Sequence, residues 1–223
     1  MVSARQETTR IGIFGTGGFG RETLTCFIDF SKSAGFDYTR QAIFIIDDKY
    51  YSDTEVMGVK VVPLSKFDPT AGYEVVIGVG DPLQRKAIVD RLPAETKYGR
   101  VIHPSAVISE WVKTGEGSII TAGCVLTCNI ELGKHAHINL LTTIGHDCVI
   151  GDYFTTAPGA NISGNCKFGD RVYLGSNAAI RQGITICNDV TIGMGGIVVK
   201  NITEAGVYVG NPVHKMGTAS HNN

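Results

Sequence analysis

Long apolar runs are missing from this chain. No stretch approaches the roughly eighteen consecutive apolar residues of a membrane-spanning helix, and the opening MVSARQETT has no apolar core for export. A cytoplasmic protein without membrane contact is the expectation. An excess of either charge is missing too: 20 Lys and Arg stand against 21 Asp and Glu, a net charge of −1. Nothing in that balance recommends nucleic acid or an anionic surface as a partner. Six cysteines are present, but no CxxC pair and no Cys/His zinc spacing, so neither a metal site nor a redox role is expected. Disulfides are not expected in a cytosolic chain.

Glycine is abundant, 28 of 223 residues, and it gathers where an aliphatic residue returns at every sixth position. The column runs from Ile102 and Ile108 through Ile120, Leu126, Leu132, Ile138, Ile144 and Ile150 to Ile192 and Val198, broken only by Thr114 and Thr156. Four residues after each comes a second inward candidate, usually small: Ala106, Ser118, Cys124, Ala136, Cys148, Ala160, Cys166, Ala178. A glycine often follows the aliphatic residue, as at Gly115, Gly133, Gly145, Gly151, Gly169, Gly175 and Gly193, where it is expected to relieve turn geometry. A period of six fits neither a helix nor an alternating strand, so a unit of six repeats as a whole. The solution is a parallel β-helix over residues 101–202, with three short strands and three turns per coil of about eighteen residues. Roughly five to six coils result. Cys148 and Cys166 then stack one coil apart, and with Cys124 they act as small hydrophobes in the core.

Ahead of the repeat, residues 1–100 read as an α/β domain of half-Rossmann type. Gly15-Thr16-Gly17-Gly18-Phe19-Gly20 follows a short strand and precedes a helical pattern, matching G-x-G-x-x-G, in which backbone amides approach a diphosphate at a helix start. A tight turn that binds nothing satisfies the same residues. A second strand, Ala42–Ile46, ends in Asp47-Asp48, and a third, Glu74–Gly80, leads into Asp81-Pro82, places where parallel sheets present ligand-binding groups. Three or four strands fit before the repeat, about half a dinucleotide fold, which favours a mononucleotide-sized ligand over NAD. His103-Pro104 reads as a rigid corner opening the first coil. Residues 203–223 form a C-terminal extension whose polar end is expected to be mobile.

Chemistry points to Asn139 and to Thr142-Thr143-Ile144-Gly145-His146-Asp147-Cys148. With Ile144 and Cys148 inward, Gly145, His146 and Asp147 fall on the turn, so the imidazole lies outside the core. An ordinary surface histidine is the bland reading. One coil above His146 lies Gly164, whose missing side chain leaves a peptide N–H beside the ring. A base and an oxyanion donor are what acyl transfer requires.

The combination IFGTGGFG, FIIDD, IGVGD, IHPSA, GHDCVIGDY, APGA, ISGNC and VGNP, spread from Arg10 to Met216, resembles the left-handed β-helix acyltransferases. Within them it is most similar to the branch that N-acetylates nucleotide-linked amino sugars, such as the bacillosamine-pathway and perosamine enzymes, together with sialic acid O-acetyltransferase-like proteins. The resemblance implies a left-handed coil, and a homotrimer with acetyl-CoA in the groove between neighbouring β-helices. It implies His146 as general base and Asp147 as its acidic partner. Asn139 and Gly164 would lie near the base and the thioester, and Thr155, Ser176 and Met194 stand where the family has other cofactor-lining residues. Gly17, Gly18, Phe19, Asp47, Asp48 and Gly80 match positions that hold a UDP- or GDP-linked sugar. Lys200 is a candidate for a CoA phosphate by charge and place. An O-acetyltransferase, a nucleotide-sugar sensor and a structural trimer are the other readings.

Overall fold

The computed structural model describes residues 9–217. The opening residues expected to lack an export signal, and the final residues expected to be mobile, lie largely outside that range. Among the described residues no helix is long and apolar enough to cross a membrane.

The amino-terminal region is a five-stranded sheet with helices packed on it. Its elements are β1 (Ile11–Phe14), α1 (Gly18–Ala34), α2 (Tyr38–Gln41), β2 (Ala42–Ile46), β3 (Glu55–Val56), β4 (Val59–Pro63), β5 (Glu74–Ile77) and α3 (Pro82–Arg91). The strand order is β3-β4-β2-β1-β5, parallel except for the β3–β4 hairpin. That hairpin takes the sheet past the three or four strands expected. It turns on Met57 and Gly58, both left-handed at φ 52° and 74°, as a two-residue hairpin loop requires. β1 is buried at all four positions, so IGIF reads as the continuous apolar run of a central parallel strand. α3 starts where Asp81 accepts a hydrogen bond from the Gln84 N–H at 2.8 Å, with Pro82 in its first turn.

From Val101 the chain winds into a three-walled solenoid whose sheets hold eight, six and five strands. Each strand pairs in parallel with the one eighteen residues on. The first wall runs Val101↔Ile119↔His137↔Thr155↔Tyr173↔Thr191, the second Val107↔Val125↔Thr143↔Asn161↔Ala179↔Ile197, and the third Glu131↔Val149↔Lys167↔Thr185. The aliphatic column fills the prism: Ile120, Ile138, Ile144, Leu174, Ile192 and Val198 are all 0 % exposed, and so are Cys124, Cys148 and Cys166. Thr156, which breaks the column, is buried and exchanges a hydrogen bond with Thr142 at 2.9 Å, so the pair satisfies itself inside the core.

The glycines have a different cause from the one expected. Gly115, Gly133, Gly145, Gly151, Gly169, Gly175 and Gly193 are not in left-handed conformation; that falls on the third residue after the aliphatic one, held by Asn129, His135, Leu141, Asp147, Tyr153 and Asn165 among others. The glycines are needed because the next coil is too close. A Cβ on Gly145 would stand 2.6 Å from the Gly164 nitrogen, and one on Gly175 2.6 Å from the Met194 nitrogen.

The extension beyond residue 202 is partly ordered structure. Gly206–Gly210 pairs in parallel with Val190–Ile192 and turns back antiparallel to Val213–Lys215, capping the first wall.

That same wall carries the amino-terminal domain, and the joint is built on Arg85. The side chain is 0 % exposed. Its Nε donates to the His135 carbonyl at 2.9 Å, Nη1 to the Val79 and Gly80 carbonyls at 2.9 and 3.0 Å, and Nη2 to the Tyr153 carbonyl and to Thr155 Oγ1, both at 2.7 Å. His137 Nδ1 lies 3.1 Å from Nη1 and must accept, which leaves its ring proton on Nε2. Phe19 packs on the His137 ring at 4.7 Å and His135 stacks on Tyr153 at 5.2 Å. On the other flank of α1, His103 Nε2 meets Asp29 at 3.2 Å while His103 Nδ1 accepts from the Ser105 N–H at 3.0 Å. The expected rigid corner is thus also a clamp on α1.

Burial, aided by the Arg85 charge, pushes His135 down to about 4 and holds His137 well below the usual imidazole range. The unfolded chain takes up those protons near pH 6.5, whereas the folded chain does not, so stability is full above pH 6.5 and falls as pH drops towards 4. His135 alone accounts for about 3 kcal/mol over that interval. Denaturant melts at pH 7 and pH 5 should show the loss, and His135→Asn, which suits the left-handed position, should flatten the slope. An unchanged slope in that variant would mean that the acid sensitivity lies elsewhere.

Candidate functional site

The corner between the second and third walls carries the stack predicted for chemistry. Strand register places Cys128, His146, Gly164 and Lys200 on this corner, with Asn129 and Asp147 in the next column. His146 and Gly164 are one layer apart: a Cβ on Gly164 would lie 2.6 Å from both His146 Cε1 and Nε2. The imidazole is outside the prism, with its side chain 51 % exposed. Its Nδ1 lies 2.7 Å from Asp147 Oδ2, and since the carboxylate can only accept, the ring proton sits on Nδ1 and the Nε2 lone pair faces out over Gly164. Hydrogen bonds from His146 first, and then from Asn129, hold the Asp147 carboxyl below its ordinary range. The Gly164 carbonyl accepts from the Gly183 N–H at 3.0 Å, and the Asn165 N–H donates to the His146 carbonyl at 2.7 Å, so both layers are fixed in height.

The remaining cofactor candidates separate. Asn139, Ser176 and Met194 lie on the corner between the first and second walls, where Met194 is 81 % exposed and Asn139 Oδ1 accepts from the Leu140 N–H at 2.9 Å. Thr155 reaches neither corner. It is buried in the first wall, its hydroxyl accepting from Arg85 and donating to the Gly80 carbonyl at 3.3 Å, because the amino-terminal domain covers the outward face there. Lys200 lines a cavity of about 290 Å³ with Asn201, Tyr208, His214 and Lys215.

A second cavity, of about 400 Å³, opens at the carboxyl ends of β1 and β2. Gly17 and Asp47 line it together with Thr16, Lys49, Tyr50, Gln84 and Arg91 over an apolar floor of Phe14, Ile46 and Val79. Gly17 is the N-cap of α1 and supplies no side-chain cap, so the first amides of the helix are open to an anion. Arg91 grips both oxygens of Asp47, with Nη2 at 2.8 Å from Oδ2. Gly18, Phe19, Asp48 and Gly80 are not in its lining. Phe19 packs tilted against the His137 ring, Gly80 gives its carbonyl to Arg85, and Asp48 accepts from the Ser65 N–H at 3.0 Å and from its hydroxyl. Gly20, the last glycine of the motif, serves packing: a Cβ there would lie 2.0 Å from the Gly15 carbonyl oxygen. Sequence reasoning missed Gln84 and Arg91. They stand seven apart on α3, a spacing that puts both on one helix face, so helical register was the available signal. Among the described residues no group of three or more His, Cys, Asp or Glu side chains is placed to hold a metal ion.

Residues 10–92 match the PglD N-terminal domain family, and residues 167–200 match the hexapeptide repeat of succinyl-transferase. A GDP-perosamine N-acetyltransferase of Escherichia coli O157:H7 is 30 % identical over 141 residues, 61 % of this chain. The match spans 62 % of that protein's length. Among solved structures, WeeI from Acinetobacter baumannii AYE is 32 % identical with a TM-score of 0.83, covering 93 % of this chain and 99 % of its own. A mutant perosamine N-acetyltransferase from Caulobacter crescentus, in complex with CoA and GDP-perosamine, is 25 % identical with a TM-score of 0.83, covering 96 % and 100 %.

Proposed function

We infer, because this chain belongs to the left-handed β-helix, hexapeptide-repeat proteins that carry a PglD-type amino-terminal domain, that it transfers acetyl from acetyl-CoA to the amine of a nucleotide-linked sugar. The observation that carries the reading is the His146–Gly164 stack. Nε2 of His146, freed by the Nδ1–Asp147 hydrogen bond, takes the proton that the sugar amine loses as it attacks the thioester. The Gly164 N–H, to which no described residue supplies an acceptor, donates to the oxyanion. Asp147 keeps the tautomer and stabilises the imidazolium; as the tetrahedral intermediate collapses the carbon–sulfur bond breaks, and CoA leaves as the thiol with the proton that the imidazolium returns.

The two cavities fit the two substrates. The uncapped start of α1 with Lys49 and Arg91 suits a diphosphate, and the floor of Phe14, Ile46 and Val79 suits a base. Lys200 stands three coils above His146, roughly 14 Å at about 4.8 Å per coil, so a CoA laid along the corner brings a phosphate to Lys200 and its thioester to Gly164. The relatives named for GDP-perosamine make a GDP-linked amino sugar the first acceptor to try, with UDP-linked sugars beside it.

A homotrimer completes the groove. The first wall is covered by the amino-terminal domain and the third shows Lys113 paired with Glu131 at 2.8 Å. The second is uncharged along its strands, from Val107 to Ile197, and its two edges are the His146 corner and the Asn139–Ser176–Met194 corner. Packing of that wall between copies brings one protomer's His146 corner opposite the other set on its partner.

Thermal-shift and thiol-release measurements with acetyl-CoA and GDP- or UDP-linked amino sugars test the reading. Both ligands should stabilise the protein, and free thiol should appear only when both are present. A sugar that binds without thiol release would indicate a sensor; a product cleaved by alkaline hydroxylamine would be an ester and overturn N-acetylation. Gly164→Ala should lower turnover roughly 100-fold, because its methyl displaces the ring from the reacting position. Stability should hold, since the half-exposed imidazole can move aside. Full turnover in Gly164→Ala would remove the stack from the mechanism.

A further inference from the structure

We propose that Asn129 is a positioning residue that locks Asp147 onto His146; the proposal rests on His146 as the base of the transfer reaction. Asn129 lies one coil below Asp147 in the same corner column, and its Nδ2 donates to Asp147 Oδ1 at 3.1 Å while Oδ2 takes His146 Nδ1 at 2.7 Å. Both carboxylate oxygens are therefore occupied, one by the ring of the same coil and the other by the coil below. A carboxylate held at one oxygen swings about its last bond; held at two, it presents a fixed acceptor to Nδ1 and so a fixed direction for the Nε2 lone pair. The Asp147 backbone is tied to the same coil, its N–H donating to the Cys128 carbonyl at 3.1 Å.

The residue type follows from the site. Position 129 has φ 53° and position 147 has φ 59°, the left-handed region that Asn and Asp tolerate better than most residues. Successive left-handed residues stack one above the other, which brings the two short polar side chains together. A second Asp at 129 would face Asp147 with like charge; Asn is the isostere that gives a neutral donor. Both side chains are exposed at the surface, so the contact adds little to folding, and direction is what it supplies.

Asn129→Asp keeps shape and backbone preference but removes the donor, and Asn129→Gly keeps the left-handed turn without any side chain. Both should keep the melting temperature within about 2 °C. Both should lower kcat about tenfold with KM for acetyl-CoA unchanged within twofold, and move the acid limb of the kcat profile. Long-range nitrogen–proton NMR of histidine-labelled protein reads the tautomer of His146 without any turnover; the Nδ1–H form should dominate in the parent and be mixed in both variants. If both variants keep the parent tautomer and the parent acid limb, Asn129 has no positioning role. Activity retained in His146→Ala would instead overturn the base assignment, while the tautomer measurement would still decide the Asn129 contact.

Discussion

His146→Ala is expected to lower turnover by about 10²–10⁴, the usual contribution of a general base, while acetyl-CoA still binds. The two effects separate because of where the ring lies. It stands on the outer corner, half exposed, and its side chain's hydrogen bond is to the exposed Asp147, so deletion empties no core space and breaks no buried contact. The Gly164 N–H remains and Lys200 is three coils away, so the contacts proposed there for the cofactor are untouched by the substitution. The acid limb of the rate profile, if it belongs to the imidazole, should vanish with it. Steady-state kinetics beside thermal shift by acetyl-CoA makes the distinction: turnover within twofold of the parent would exclude His146 from proton transfer.

Arg85→Met is expected to cost about 3–5 kcal/mol, because several buried carbonyls lose their donor at about 1–3 kcal/mol each. For a chain of this size that is a fall of about 10 °C in melting temperature. The guanidinium is the bolt between the two domains. It ties the Val79 and Gly80 carbonyls of the sheet to the His135 and Tyr153 carbonyls and Thr155 of the solenoid, with its own pKa pulled down to about 9 by burial. Methionine fills part of the volume but leaves those acceptors buried without donors, and lysine, with three donors on one nitrogen, cannot reach both sides. Proteolysis should then cut between residues 92 and 101 while the solenoid stays resistant. A melting temperature within 2 °C of the parent would show the domains docked by apolar contact alone.

The solenoid was legible because its period is written in side chains: Ile120, Ile138 and Ile144 recur on a count of six, and no other regular structure has that period. His146 was legible by the same count, which put it on a corner with Gly164 above. The role of the repeat glycines was not. Gly145 next to an inward Ile144 looks like a turn residue, and only the approach of the following coil, 2.6 Å from a would-be Cβ, shows that clearance is the cause. Thr155, which the resemblance matched to a cofactor-lining position, lies away from both corners for a related reason. Counting places it facing outward, but whether outward means solvent depends on what another domain covers.

Local spacing therefore determined the three-walled coil, its filling, and the imidazole over a bare peptide, since those depend on residues six and eighteen apart. Arg85, His135, His137 and Asn129 took their meaning from contacts 18 to 70 positions away or across a domain joint, and a charged residue in a helix looks the same whether it meets water or a ring of carbonyls. Folding alone decided which it met.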